Sequence, residues 1–361
     1  LFLYFVTLSY IFFNYISAPT NAVPRVCHTI IYFSFLPFMT TCLVFLQFFF
    51  CYTMIEKRRL ICPLEKYRKK DLMKNTITGH TVLTALLGSP VAHSISPMMH
   101  NEAFQLLDLD YAYLAFDVSL DNLGKVVEGL KIMNCRGFNC TMPHKNLVCE
   151  YVDHLSDAAT LIGAVNTVVN DNGILTGHNT DGVGYMQSVK SAGYDIIGKN
   201  MTLLGTGGAA TAICAQAALD GVKKIDVFNR KGNSFDKFQS FIDKLNKNTN
   251  CKVSLYDIND TTTLRQSLKD SCILTNGTSV GMAPNDDKSI LTDTSLFHEG
   301  LIVSDVIYNP EETLLMKLAK EQGCHTFNGL YMLLYQGAEA FKIWTGKEMP
   351  IEPIKQKYFD R

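Results

Sequence analysis

A lysine follows a Thr-x-Pro-x corner in "NCTMPHK" (residues 139–145), where a plain turn would favour Gly, Asn or Asp. An aspartate stands in "NTDGVG" (179–184), and "HSISP" (93–97) offers two hydroxyls, Ser94 and Ser96, two residues apart. Lys145 and Asp181 are a candidate acid–base pair, able to pass a proton to and from an oxygen of a small substrate. Each residue also has a bland use. A lone loop lysine is usually solvated, and serines beside a helix often cap it. A lysine free in water has a pKa of ~10.4, too high for efficient proton exchange near neutrality. Burial in a cleft would lower it and Asp181 would raise it, so the net sign is open at this level.

A second signature says what the proton would accompany. "MTLLGTGGAA" sets Gly205, Gly207 and Ala210 in G-x-G-x-x-A spacing, after a buried strand and before a helix. Gly205 permits a tight turn, Gly207 removes a Cβ from the path of a pyrophosphate, and Ala210 lets the helix sit close to the strand. The turn Gly205, Thr206, Gly207, Gly208, Ala209 would then present helix N-terminal N–H groups to phosphates. An enzyme that moves a hydride to or from a carbon bearing a hydroxyl must also move the hydroxyl proton. The sequence has no Cys/His ligand spacing, so no metal is expected and side chains must carry that proton.

The end of the next strand, "IDVFNRK" (225–231), bears on cofactor choice. A carboxylate there would hold a ribose 2′-hydroxyl and repel a 2′-phosphate. Asn229, Arg230 and Lys231 stand there instead, and Arg can pair with a 2′-phosphate by charge-assisted hydrogen bonds. The expectation is NADP, with NAD as the alternative.

The elements needed to position these groups are readable from residue 81 onward. "TVLTALLG", "YAYLAFDV" and "RGFNCTM" read as strands. "MMHNEAFQLL", "LDNLGKVVEGLKIM" (with Asp121 as N-cap) and "PHKNLVCEYV" read as helices. "AVNTVVNDNGILTGHN" reads as a hairpin turning at Asn172-Gly173. Strands alternating with helices imply an α/β fold with a mainly parallel sheet covered on both faces. "TDGVGYMQSVKSAG" would bridge to a second, Rossmann-like α/β series. "NGLYMLLYQGAEAFKIWTG" would form a long helix returning to the first domain. The expected organisation is a substrate domain over 73–180, joined by 330–361, and a dinucleotide domain over 181–329.

Composition bounds the rest. Residues 1–50 hold 11 of the 22 Phe, and residues 26–55 hold no Asp, Glu, Lys or Arg. Two apolar runs there have membrane-spanning length, and "EKRRLICPLEKYRKK" could flank them on the inside. The chain begins with Leu, however, and Met73 stands just ahead of the first strand, so residues 1–72 are expected to be a mis-called start rather than a membrane anchor. Residues 73–361 carry 25 basic and 31 acidic side chains, which argues against nucleic acid as a partner. The 11 cysteines lie singly, without CxxC, as expected of reduced thiols in the cytoplasm.

In these motifs the chain resembles the shikimate dehydrogenase family. S-x-S-P, N-x-T-x-P-x-K, G-A-V-N-T, N-T-D-G, the G-x-G-G-A turn and a late Y-Q-G-A-E follow one another in family order over about 73–361. "CEYVD", "LTNGTSVGM" and "WTGK" look closer to its quinate/shikimate branch. The resemblance implies an oxidoreductase interconverting 3-dehydroshikimate and shikimate, with quinate as a further substrate. Lys145 and Asp181 would be catalytic. Ser94 and Ser96 would bind the substrate carboxylate, with Tyr113 adding a phenol hydroxyl. Thr141, Asn166 and Gln336 would grip ring hydroxyls or the carboxylate, and Tyr308 would line the gap between domains. Gly329 would line the same gap close to the nicotinamide, and Val306 would touch the cofactor. Two departures bear on the cofactor: Gly232 and Asn233 stand where the NAD-tolerant branch often has an acid, and Lys231 replaces the Thr of N-R-T. The expected partners are a small-molecule substrate and, as an open alternative, a second copy in a homodimer; a membrane enters only with residues 1–72. Competing readings are a methylenetetrahydrofolate dehydrogenase-like enzyme and a membrane-anchored sensor without turnover.

Overall fold

The computed structural model describes residues 77–360, so the expectation for residues 1–72 lies outside the described residues. The first apolar run forms strand β1 (Val82–Gly88), buried along most of its length. Successive side chains of a strand face opposite ways. Ala85 and Leu87 therefore join one hydrophobic core and Leu86 another. Burial on both faces explains why the run is continuously apolar rather than alternating.

Helix α1 (Ser96–Leu106) leads to β2 (Tyr111–Asp117), and helix α2 (Leu123–Ile132) to β3 (Gly137–Cys140). A short strand β4 (His154–Leu155) and helix α3 (Asp157–Ile162) precede the hairpin of β5 (Thr167–Asp171) and β6 (Ile174–His178). The sheet order is β2-β1-β3-β5-β6-β4. It is mainly parallel, with one reversed strand: β1–β2, β1–β3 and β4–β6 pair parallel, and β5 runs antiparallel to both β3 and β6. The hairpin turns at Asn172 and Gly173, both at positive φ (57° and 90°), as a two-residue turn of this hand requires.

Two local expectations are corrected. Residues 120–122 form a 3-10 turn, and α2 begins after Asn122 with no side-chain cap, so Asp121 does not cap it. The expected helix over 143–152 is a 3-10 segment, Leu147–Tyr151, preceded by turns that hold Lys145.

Helix α4 (Asp181–Ser191) leads into the second sheet. Its strands are β7 (Asn200–Leu204), β8 (Lys224–Asn229), β9 (Lys252–Asp257), β10 (Ile273–Asn276), β11 (Ile302–Asp305) and β12 (His325–Phe327). All neighbouring pairs are parallel, in the order β12-β11-β10-β7-β8-β9, with the crossover of a doubly wound dinucleotide fold. Helices α5 (Gly208–Asp220), α6 (Asn233–Asn248), α7 (Thr261–Asp270) and α8 (Leu314–Glu321) make the crossovers.

Helix α9 (Leu330–Thr345) returns to the first sheet, and α10 (Ile351–Tyr358) follows it. Phe341 and Trp344 of α9 pack with Met99 and Phe104 of α1, and Trp344 Nε1 donates to the Val168 carbonyl at 2.9 Å. Each such side chain, fully buried, contributes roughly 1.5–3 kcal/mol. Helix α9 also lies against α4 at backbone distance. A Cβ on Gly184 would come within 2.6 Å of the Gln336 nitrogen and 2.7 Å of the Met332 carbonyl, so only glycine fits. This contact brings the start of α4 and the middle of α9 to the same space. Among the described residues no helix is long and apolar enough to cross a membrane.

Candidate active site

At the carboxyl end of β3 the chain turns through Thr141 and Pro143 to Lys145. The corner is pinned from three sides. Thr141 N donates to the Leu87 carbonyl (2.9 Å), and His144, wholly buried, donates through Nε2 to the Val118 carbonyl (2.8 Å). The Lys145 carbonyl accepts from Val165 N at 2.7 Å. Lys145 Nζ then stands 2.5 Å from Asp181 Oδ2, with the lysine side chain 29% and the aspartate 14% exposed. The two expected partners meet.

Asp181 is the first residue of α4, where the helix dipole favours a negative charge. Its other oxygen, Oδ1, accepts from Asn166 Nδ2 at 2.8 Å. The Asn166 amide is set by its own neighbours, because Oδ1 accepts from Thr180 N (2.8 Å) and Thr167 Oγ1 (3.0 Å). Thr167 Oγ1 in turn accepts from Asn139 Nδ2 at 2.9 Å. Sequence alone does not single out Asn139, His144 or Thr167, and it offers Thr180 only as a cap of α4, a bond its side chain does not make. Asn139 could have been singled out: it is a buried polar residue in the otherwise apolar strand "GFNC", and such a group is kept only when hydrogen-bonded.

A cavity of about 460 Å³ opens over this pair. Ser94, Ser96, Thr141, Asn166 and Gln336 line it from the first sheet and α9, and Ala209, Val306, Tyr308 and Gly329 from the second. Asn139 and Cys140 are also in the wall. Burial pushes the Cys140 thiol up, which withholds the thiolate that nucleophilic chemistry would need. Among the described lining residues, Lys145 and Asp181 are the only Lys, Arg, Asp or Glu. Tyr113 is not in the wall. It is fully covered, stacks on His100 with ring centroids 4.5 Å apart, and donates its hydroxyl to Asn139 Oδ1 at 2.8 Å. Its hydroxyl thus sits next to Asn139 and Ser96, both of which line the cavity, and burial holds it far above the usual phenol range.

A second cavity, about 1130 Å³, runs along the carboxyl ends of the second sheet. Gly205, Thr206, Gly207, Ala209, Asn229 and Arg230 line it, and Ala209, Val306 and Tyr308 line both spaces. Gly208 and Lys231 are in neither lining. Gly205 has φ +101°, the left-handed region, and a Cβ there would meet Thr278 Cγ2 at 2.6 Å. A Cβ on Gly207 would enter open space, at the N-cap of the 13-residue helix α5, which has no side-chain cap. Uncapped N–H groups facing a void that a side chain would fill are what a bound pyrophosphate needs, so these residues fit a dinucleotide. Asp305, at the end of β11, accepts from Asn276 Nδ2, Thr313 Oγ1 and Ile307 N and so anchors the loop carrying Val306 and Tyr308. Burial raises its carboxyl above the usual range. Among the described residues no cluster of three or more His, Cys, Asp or Glu could hold a metal.

Comparison with known proteins agrees with this geometry. Residues 86–168 match the shikimate dehydrogenase substrate binding domain, and residues 329–357 the shikimate 5′-dehydrogenase C-terminal domain. A shikimate dehydrogenase (NADP(+)) of Listeria innocua is 55% identical over 283 residues, 78% of this chain and 97% of that protein. A quinate/shikimate dehydrogenase of Escherichia coli is 47% identical over 280 residues, again 78% of this chain and 97% of that one. Among solved structures, shikimate 5-dehydrogenase from Listeria monocytogenes in complex with shikimate and NAD superposes with a TM-score of 0.76 at 55% identity, covering 78% of this chain and 98% of that one. With its two sheets, its dinucleotide turn and these relatives, the chain belongs to the shikimate dehydrogenase family and is an NAD(P)-linked oxidoreductase.

Proposed function

We propose that the protein catalyses the reversible NADP-linked reduction of 3-dehydroshikimate to shikimate, and that Lys145 and Asp181 carry its proton. The observation that supports this best is the 2.5 Å Lys145–Asp181 pair in the wall of a cavity bounded by both sheets. Bound along the second sheet, the dinucleotide supplies or accepts the hydride. Gly205, Thr206, Gly207, Gly208 and Ala209 would hold its pyrophosphate, Asn229, Arg230 and Lys231 its adenosine end, and Val306 and Gly329 its nicotinamide end. Ser94 and Ser96 donate hydroxyls to the substrate carboxylate. Thr141, Asn166 and Gln336 orient the ring hydroxyls, and Tyr308 closes the space between the two sheets. In the reductive direction Lys145 gives a proton to the C3 oxygen; in the oxidative direction it takes that proton back. Asp181 holds the lysine in place through one oxygen and is itself held by Asn166 through the other. Fixing donor and acceptor in this way removes the entropy of bringing them together.

A sensor that binds without turnover has no use for a lysine held against a carboxylate inside the cavity, so that reading is the weaker one. The seven cysteines of the described residues are free, which supports the cytoplasm as the place of action. Quinate is the natural second substrate. The test is a grid of shikimate and quinate against NADP and NAD, followed at 340 nm. Shikimate should turn over with a KM for NADP at least about tenfold below that for NAD, as charge-assisted contacts to a 2′-phosphate imply. Binding of shikimate with no absorbance change under any pairing would defeat the proposal.

A further inference from the structure

Two successive residues of the corner after β3 face different cavities. Thr141 lines the space over Lys145 and Asp181, whereas Met142 lines the second cavity, along the dinucleotide sheet. Among the described residues that line this second cavity, Met142 alone comes from the half of the chain that builds the first sheet; the others lie at Gly205 or beyond. Its backbone is fixed. Thr141 N donates to the Leu87 carbonyl (2.9 Å), Ser89 N to the Met142 carbonyl (3.2 Å) and His144 N to the Thr141 carbonyl (2.9 Å). Met142 nevertheless is 75% exposed.

A single exposed methionine on a loop needs no explanation. Here two further large side chains, Met282 and Tyr308, each 47% exposed, line the same cavity. Since Thr141 borders one cavity and Met142 the other, Met142 stands where the two meet, a junction also marked by Ala209, Val306 and Tyr308. A dinucleotide in the second cavity must bring its nicotinamide to this junction to exchange a hydride with a molecule in the first. We propose that Met142 is a cofactor-binding residue, whose thioether packs on the nicotinamide ring of the bound dinucleotide. An unbranched, polarisable side chain can follow the face or edge of such a ring, and the contact takes apolar surface out of water. Met142 and Lys145 share one pinned corner, so the same contact sets the ring against the proton donor.

This inference rests on the second cavity holding the dinucleotide, and not on the identity of the substrate. Full-length protein labelled with carbon-13 at the methionine methyl groups gives a readout that needs no turnover, and Met142→Leu identifies the Met142 signal by its loss. NADP should move that signal upfield through the ring current of the nicotinamide. Adenosine 2′,5′-bisphosphate, which lacks the nicotinamide, should leave it in place. In calorimetry, Met142→Ala should weaken NADP and NAD by the same factor, roughly three- to tenfold, because both carry the ring. Met142→Leu keeps the apolar volume and should bind both within about twofold of wild type. KM for shikimate should change less than about twofold in either variant. A signal that moves as far with adenosine 2′,5′-bisphosphate, or that NADP does not move, would overturn the proposal. Weakening of NADP alone, or an alanine variant that binds like wild type, would overturn it too. A wild-type protein that shows the NADP shift yet turns over neither shikimate nor quinate would uphold this inference while removing the functional reading.

Discussion

The two sheets present their sites by different means. Beside the first, the proposed acid–base pair is held by side chains bonded to side chains: Lys145 to Asp181, Asp181 to Asn166, Asn166 to Thr167 and Thr180, Thr167 to Asn139. Along the second, the space for the dinucleotide is shaped by backbone: the left-handed Gly205, the open position at Gly207 and the uncapped start of α5. The difference follows from the tasks. A proton donor must be fixed in position and orientation, and a buried network of satisfied polar groups does that. A pyrophosphate offers many equivalent oxygens, and N–H groups at a helix start bind them without a dedicated side chain.

The largest effect that tests this contrast is on the side-chain network. Lys145→Ala should lower kcat by about 10²–10⁴ while the KM values for substrate and NADP change little, since the lysine acts on the proton in flight. Steady-state kinetics in the oxidative direction measure this, and near-wild-type turnover would break the comparison at its stronger end. The backbone-built side should respond differently. Arg230→Ala removes the one Lys or Arg among the described residues that line the second cavity. It should raise KM for NADP about tenfold, change KM for NAD less than twofold, and leave kcat intact. An equal rise for both dinucleotides would mean that Arg230 serves the shared adenosine and not the 2′-phosphate.

Legibility in the sequence divides along the same line. That Lys145 and Asp181 would meet could be read because a lysine after Thr-x-Pro-x is conspicuous in a loop and a proton-handling pair needs an acid beside it. The turn at Gly205 could be read because strand–glycine–helix order carries its own geometry. Asn139 and Thr167 could not be placed, because a polar residue on a buried strand shows that it needs a partner but not which one. Tyr113 lies on a strand that the alternation of "YAYLAFD" announces, but that pattern does not say what its hydroxyl meets, and the resemblance alone assigned it to a substrate carboxylate. The mixed sheet was half legible. Asn172-Gly173 announced an antiparallel pair, yet the hairpin's other neighbour, β3, is 27 or more residues away along the chain, beyond any local signal. The helix expected over 143–152 failed because its backbone bonds are few and short-ranged: Val148 N reaches His144, but Cys149 N reaches only Asn146.

The smallest effect on turnover, and a separate one on stability, comes from the wall behind the network. His100 is wholly buried, and neither ring nitrogen has a hydrogen-bond partner. Its ring neighbours are Phe104, Tyr113, Phe341 and Trp344, and no ionised group shares that contact. Burial pushes its pKa down from 6.5 to about 3, so the folded state keeps the ring neutral where the unfolded chain would protonate it. The sign follows from that depression. Below pH 6.5 the unfolded state binds a proton the native state refuses, so stability falls with pH from 6.5 toward 3 and is constant below. At pH 5 this one group costs about 2 kcal/mol relative to pH 8. His100→Phe keeps an aromatic ring in the stack and removes both orphaned nitrogens, whose desolvation is unrepaid. It should therefore unfold in urea at pH 8 with a free energy within about 1 kcal/mol of wild type, and lose about 2 kcal/mol less than wild type between pH 8 and pH 5. Its kcat at neutral pH should match wild type within about twofold, because the phenol it supports is held at its other end by Asn139. Identical acid slopes in the two proteins would show that His100 is not the group that titrates. A large loss of kcat would show that the stack also shapes the cavity wall on which Ser96 and Asn139 stand.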